Sequence, residues 1–107
     1  MEIASFQKLM KELYFERDRK RGLNNTFLWF IEEIGELAEH LRHFQTKPDD
    51  YEEKKIKLRI EEELADVLAW LCSLANILQI DLQKAALEKY PGLCKKCGSK
   101  PCKCDSI

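Results

Sequence analysis

Glycine and proline are scarce in this chain, four and three among 107 residues, and most of them fall near segment ends. Little therefore interrupts a helix, and neither an internal repeat nor a low-complexity tract is present. An excess of charge of one sign is also missing. The 18 Lys and Arg nearly balance the 19 Asp and Glu, for a net charge of −1, which excludes a generally basic protein that coats nucleic acid. No apolar run approaches the roughly 18 residues of a membrane span, and the first residues lack the profile of a secretory signal. The expected location is the cytoplasm, with no membrane partner. What the chain does have is 45% apolar and 35% charged residues, a mixture that folds as a helical globular domain and argues against disorder. At this length it forms one small domain with limited surface to bury, so association of subunits is expected.

Hydrophobic periodicity predicts four helices. Ile3, Phe6, Leu9, Met10, Leu13 and Tyr14 recur at three- and four-residue steps in a helix from Glu2 to Lys20, with Gly22 as its stop. The basic run Arg17–Arg21 suits the negative end of that helix's dipole. Asn24, Asn25 and Thr26 offer N-caps for a second helix reaching Phe44, with a stripe of Phe27, Phe30, Ile31, Ile34, Leu37, Ala38, Leu41 and Phe44. The turn Lys47-Pro48-Asp49-Asp50 leads to a long third helix from Tyr51 to Gln79, striped by Ile56, Ile60, Leu64, Val67, Leu71, Leu74 and Leu78. Asp81 caps a short fourth helix that Pro91-Gly92 ends. The expected architecture is an all-α bundle over residues 1–91, followed by a Cys-rich tail over 92–107.

Two acidic clusters interrupt the apolar pattern. Glu32-Glu33-Ile34-Gly35-Glu36 lies on the second helix, and after 26 residues Glu63-Leu64-Ala65-Asp66 lies on the third. Glu33 and Glu36 point within about 60° of each other on a helical wheel, and so do Glu63 and Asp66. Glu32 projects further toward solvent. Trp29 lies one turn before Glu33, and Trp70 lies two turns after Glu63. A short connection favours antiparallel packing of the two helices, and the four carboxylates then converge. Like charges set against apolar positions are costly unless a cation lies between them, and a hard divalent ion, Mg²⁺ first, satisfies oxygen donors of this kind. The plain alternative is a solvated acidic face, with Glu36 near His40 and Glu63 near Arg59 as local ion pairs.

The tail concentrates Cys94, Cys97, Cys102 and Cys104 within eleven residues. Four sulfurs are the number that a structural Zn²⁺ site requires, and Cys97-Gly98 has the form of a zinc knuckle. The second pair is Cys-x-Cys in place of the usual Cys-x-x-Cys. Lys95, Lys96, Lys100 and Lys103 make this segment basic. Cys72, alone in the third helix, reads as a small core residue.

The wording around the acids, Trp29-Phe-Ile-Glu-Glu-Ile-Gly-Glu-Leu-Ala-Glu39 and then Glu62-Glu-Leu-Ala-Asp-Val-Leu-Ala-Trp70, followed by Leu74-Ala-Asn76 and Lys89-Tyr-Pro91, resembles the MazG-like nucleotide pyrophosphohydrolases across residues 5–91. That family's pattern of Glu-Glu-x-x-Glu, a spacer and Glu-x-x-Asp is intact. The resemblance implies hydrolysis of nucleoside triphosphates to monophosphate and pyrophosphate with Mg²⁺, for which Mn²⁺ can substitute. It implies Glu33, Glu36, Glu63 and Asp66 as metal ligands, with Glu32 positioning water or completing an outer shell. Lys89 then meets phosphate, Asn76 the nucleoside, and Trp29 or Trp70 stacks on the base, although either Trp serves equally as core or subunit interface. The family's assembly as dimers or dimers of dimers is implied as well. Three alternatives stand beside this reading: a phosphoribosyl-ATP pyrophosphohydrolase of the same fold, a non-enzymatic dimeric module whose basic zinc tail holds nucleic acid, and a metal store or sensor centred on the tail, which predicts tight Zn²⁺ binding with no turnover. The acidic quartet disfavours the second, because it repels nucleic acid.

Overall fold

A single residue, Gly22, separates the first two helices. In the computed structural model, which describes residues 1–105, α1 spans Ile3–Arg21, α2 Leu23–Gln45, α3 Asp50–Ile77 and α4 Leu82–Lys89, and no strand is present among the described residues. Gly22 adopts φ +85°, a region that glycine enters without steric cost, and its amide donates to the Asp18 carbonyl at 2.9 Å. The chain turns within that one residue, so α2 starts earlier than the Asn24–Thr26 capping group suggests and has no side-chain cap. Asn25 serves the other helix: its Nδ2 donates to the Arg21 carbonyl at 3.2 Å, at the end of α1. Thr26 is fully buried and faces Arg21.

The remaining boundaries follow from capping chemistry. Asp49 accepts from the Glu52 amide at 2.9 Å, and Asp81 accepts from the Lys84 amide at 3.0 Å. Each such cap contributes about 1 kcal/mol. Asp50, Glu52 and Glu53 place negative charge in the first turn of α3, where the helix dipole favours it. At its other end α3 stops at Ile77, two residues short of the periodic pattern. Gln79 takes φ +57°, its amide donates to the Asn76 carbonyl at 3.2 Å, and the Ile80 amide donates to the Ala75 carbonyl at 2.9 Å. This pair of backward bonds is a Schellman closure, and it releases the chain from the helix axis.

Packing is arranged around α3, which lies against α2 along one flank and against α1 along another, with α4 set on α1. Met10, Ile56, Cys72 and Ala75 are the buried apolar residues among those described, and burial pushes the Cys72 thiol up. The expected stripes are present, yet much of their surface stays open: Ile31, Ile34, Leu41, Leu64 and Leu71 are all exposed. The accessible surface is 8514 Å², against about 6,200 Å² for a compact chain of this mass. The radius of gyration is 17.1 Å, against about 13 Å expected. The apolar stripes are thus wider than one copy of the chain covers. Among the described residues, no single helix is long and apolar enough to cross a membrane.

Candidate active site

Trp29 stacks on Trp70, with ring centroids 6.1 Å apart and planes 7° from parallel. Further along, Glu33 and Glu36 of α2 meet Glu63 of α3. Residue numbers rise on one helix as they fall on the other, so the two helices are antiparallel. One oxygen from each of Glu33, Glu36 and Glu63 lies within 4.8 Å of the others. Three negative groups at this spacing repel one another, and two of them are also partly removed from water. Glu33 Oε2 and Glu63 Oε2 are buried and have no hydrogen-bond partner among the described residues. Buried carboxylate oxygens without a donor are costly. A hard cation is a partner that fits them, since oxygen donors are what such ions bind.

The same crowding moves the proton equilibria. Glu33 is pushed up to about 7, first by burial, then by the neighbouring Glu63 carboxyl, and then by the charges of Glu36, Glu63 and Asp66. Glu63 is also raised, chiefly by burial. A carboxyl whose folded value lies above its unfolded one adds stability at low pH, and that stability is lost as pH rises through the folded value. The metal-free protein should therefore melt at a lower temperature at about pH 8 than at about pH 5, and a divalent cation should cancel most of the difference. Thermal melts at both pH values, with chelator and with added cation, check this. A melting temperature indifferent to the cation at the higher pH would argue against a metal role for the cluster.

Asp66 lies outside the tight trio. Its charge reaches Glu33 and Glu63, and it lines an adjoining cavity of about 300 Å³ together with Tyr14, Arg17, Asp18, Arg21 and Trp70. The wall contributed by α1 follows from helical spacing, because Met10, Tyr14, Arg17 and Arg21 recur at steps of four, three and four. Arg21 is its pivot. Nη1 donates to Asp18 Oδ1 at 2.9 Å and to Thr26 Oγ1 at 3.3 Å, and the guanidinium carbon lies 4.8 Å from the centroid of the Trp70 ring. Asp18 is almost wholly buried. From sequence, the run Arg17–Arg21 suits the helix dipole, Arg17 is a minor candidate for substrate contact beside Lys84, and Asp18 carries no role. The available signal was that Asp18 is the one acid inside a basic segment, three residues before Arg21.

The other expected site residues are dispersed. Glu32 is exposed and borders a shallow cleft with Arg21, Asn25, Leu28 and Trp29. Asn76 is buried and occupied with α1: its Oδ1 accepts from Gln7 Nε2 at 3.0 Å, and its Nδ2 donates to the Gln7 carbonyl at 3.2 Å. Gln7 extends the link, donating to the Ile80 carbonyl and accepting from the Leu82 amide. In this chain Asn76 thus joins α1 to the α3–α4 junction. Lys89 is exposed in the last turn of α4 and lines neither the cavity nor the cleft. Cys94, Cys97, Cys102 and Cys104 form a separate group, with their sulfurs all within 4.8 Å of one another. That group could hold a metal.

Comparison with known proteins places this geometry in context. Residues 21–98 match the family model described as the MazG nucleotide pyrophosphohydrolase domain. Two proteins named dCTP pyrophosphatase 1, from Bos taurus and from Rattus norvegicus, are each 33% identical to the chain over 94 residues. Each alignment covers 81% of this chain and 54% of the relative. The chain thus spans about half the length of these relatives.

Proposed function

The chain belongs to the MazG nucleotide pyrophosphohydrolase family, and from that premise we propose that it hydrolyses nucleoside triphosphates to the monophosphate and pyrophosphate, with Mg²⁺ held by Glu33, Glu36, Glu63 and Asp66. The observation that carries the reading is the trio of carboxylates around two buried, donorless oxygens, set beside a cavity that contains arginines. Carboxylates alone repel a polyphosphate. Held by these carboxylates, Mg²⁺ would neutralise phosphate charge and make a coordinated water easier to deprotonate for attack on phosphorus.

The chain's own groups supply the rest. Glu33, Glu36 and Glu63 gather at one point from two helices whose register the Trp29–Trp70 stack helps to hold. Asp66 extends the acidic surface to the cavity wall. Arg17 and Arg21 bring positive charge to that wall, where they orient phosphate oxygens by charge-assisted hydrogen bonds. Tyr14 and Trp70 offer aromatic surface to a nucleoside. Buried Asp18 fixes the Arg21 guanidinium, so that this charge is in place before substrate arrives. The exposed stripes of α2 and α3 serve association of two or more copies. Sedimentation should accordingly give a mass at least twice the 12.6 kDa of one chain, and a strictly monomeric protein would contradict that part of the reading.

The direct test is a panel of canonical and modified nucleoside triphosphates incubated with Mg²⁺, with pyrophosphate, orthophosphate and monophosphate quantified separately. The relatives' name puts dCTP first in the panel. Equal release of monophosphate and pyrophosphate, abolished by chelator, supports the proposal. Orthophosphate as the only inorganic product, or no release from any nucleotide by folded protein, refutes it.

A further inference from the structure

The acidic site leaves the tail unexplained. From Cys94 to Cys104 the chain contains lysines, Gly, Ser and Pro, and no apolar residue other than the cysteines. Leu93, just before it, is exposed. Such a segment has no hydrophobic means of offsetting the entropy lost on ordering. Yet it closes on itself. The Cys94 amide donates to the Ser99 carbonyl at 3.0 Å, the Gly98 amide donates to the Cys94 carbonyl at 2.6 Å, and Gly98 takes φ +72°. The tight turn places Cys94 and Cys97 side by side and faces them with Cys102 and Cys104.

The sulfur geometry is specific. Cys94 Sγ and Cys104 Sγ lie 3.8 Å apart. A tetrahedron with metal–sulfur bonds of about 2.3 Å has edges of about 3.8 Å, whereas a disulfide requires about 2.05 Å. All four sulfurs fall within 4.8 Å of one another. Backbone amides support the sulfurs from outside: Lys103 N–H donates to Cys97 Sγ at 3.3 Å, and Cys104 N–H donates to Cys102 Sγ at 3.4 Å. Donors aimed at ligand sulfurs stabilise thiolates and fix their direction. Lys95, Lys96, Lys100 and Lys103 flank the group, so the net double negative charge of a divalent ion with four thiolates is compensated locally. Four soft sulfurs with no open position suit Zn²⁺ in a structural role and disfavour Mg²⁺, which selects oxygen.

We propose that Cys94, Cys97, Cys102 and Cys104 form a closed tetrathiolate Zn²⁺ site that holds the tail in its folded form, separate in position and chemistry from the carboxylate cluster. On binding, each thiol releases its proton to solvent and the four thiolates donate to the ion. Sulfur is neither oxidised nor reduced. The metal takes the place of a core for this segment.

The test uses the full chain, purified without chelator, and reads metal content with no nucleotide present, so its outcome is independent of the pyrophosphohydrolase reading. Elemental analysis should find one zinc per chain. Replacing zinc by Co²⁺ should give the intense visible absorption of a tetrahedral thiolate complex. Cys97→Ser and Cys104→Ser should each weaken zinc retention against a chelator at least about tenfold, while Cys72→Ala and Glu36→Gln keep full zinc. The tail's amide resonances should broaden or shift on zinc removal while those of α2 and α3 stay in place. Iron in place of zinc, zinc lost in Glu36→Gln, zinc kept at full affinity by both serine variants, or a cobalt spectrum without thiolate character would each overturn the proposal.

Discussion

Replacing Glu36 by Gln should lower pyrophosphate release by about two to three orders of magnitude and should at the same time raise the melting temperature of the metal-free protein. The opposed signs come from one cause. Glu36 lies with Glu33 and Glu63 in a cluster whose oxygens approach within 4.8 Å, and its charge helps to raise Glu33. Removing one of three like charges relieves repulsion in the empty site, and the amide keeps the shape of the side chain. The same exchange removes a charged ligand from the site that is proposed to hold Mg²⁺, so the variant should lose most of the thermal stabilisation that Mg²⁺ gives the parent chain. Asp66→Asn should also reduce turnover strongly. Its gain in metal-free stability should be smaller, because it lies outside the trio. Kinetics with quantified pyrophosphate, run beside melts with and without Mg²⁺, check both. A variant that loses activity and metal-free stability together would mean that Glu36 is a structural residue.

Arg21→Ala should have the largest effect on stability, lowering it by about 3 kcal/mol, or about 10–20 °C in melting temperature. The side chain of Asp18 is only 3% exposed and that of its partner Arg21 21% exposed. Its other oxygen, Oδ2, has no hydrogen-bond partner among the described residues. Truncating Arg21 leaves a buried carboxylate with neither ion pair nor donor, which is far costlier than the pair itself is favourable. The Thr26 hydroxyl and the Trp70 ring lose a contact as well. Adding Asp18→Asn to Arg21→Ala should recover much of the loss, because the uncompensated charge is gone. The double variant should still hydrolyse nucleotide poorly, since Arg21 also lines the cavity beside Asp66. Denaturation of both single variants and the pair measures the coupling. Strict additivity would remove the argument that Asp18 positions Arg21.

The residues behind these two effects differ in how far local spacing along the chain points to them. Glu33, Glu36 and Glu63 are readable because a helix repeats on a fixed period: acids three residues apart must share a face, and a short connection must return the next helix beside it. The cysteine group is readable for a similar reason, with its ligands close in sequence and chemically uniform. Arg21 and Asp18 are not readable this way. Their significance depends on Thr26 and Trp70, which come from two other helices and reach them only once α1, α2 and α3 are packed. The one-residue turn at Gly22 also reassigns Asn25 from capping α2 to finishing α1.

The helices, their stopping points to within two or three residues, and the two sets of possible metal donors are already specified along the chain, because all of these depend on local spacing and local chemistry. Which donors meet is settled by packing: it draws three carboxylates together while leaving Asp66 on the cavity wall, it commits Asn76 to Gln7, and it stacks Trp29 on Trp70. It also left Ile31, Leu64 and Leu71 open to solvent. A stripe in the sequence states that a face is apolar, and only the packed chain shows how much of that face its own helices cover.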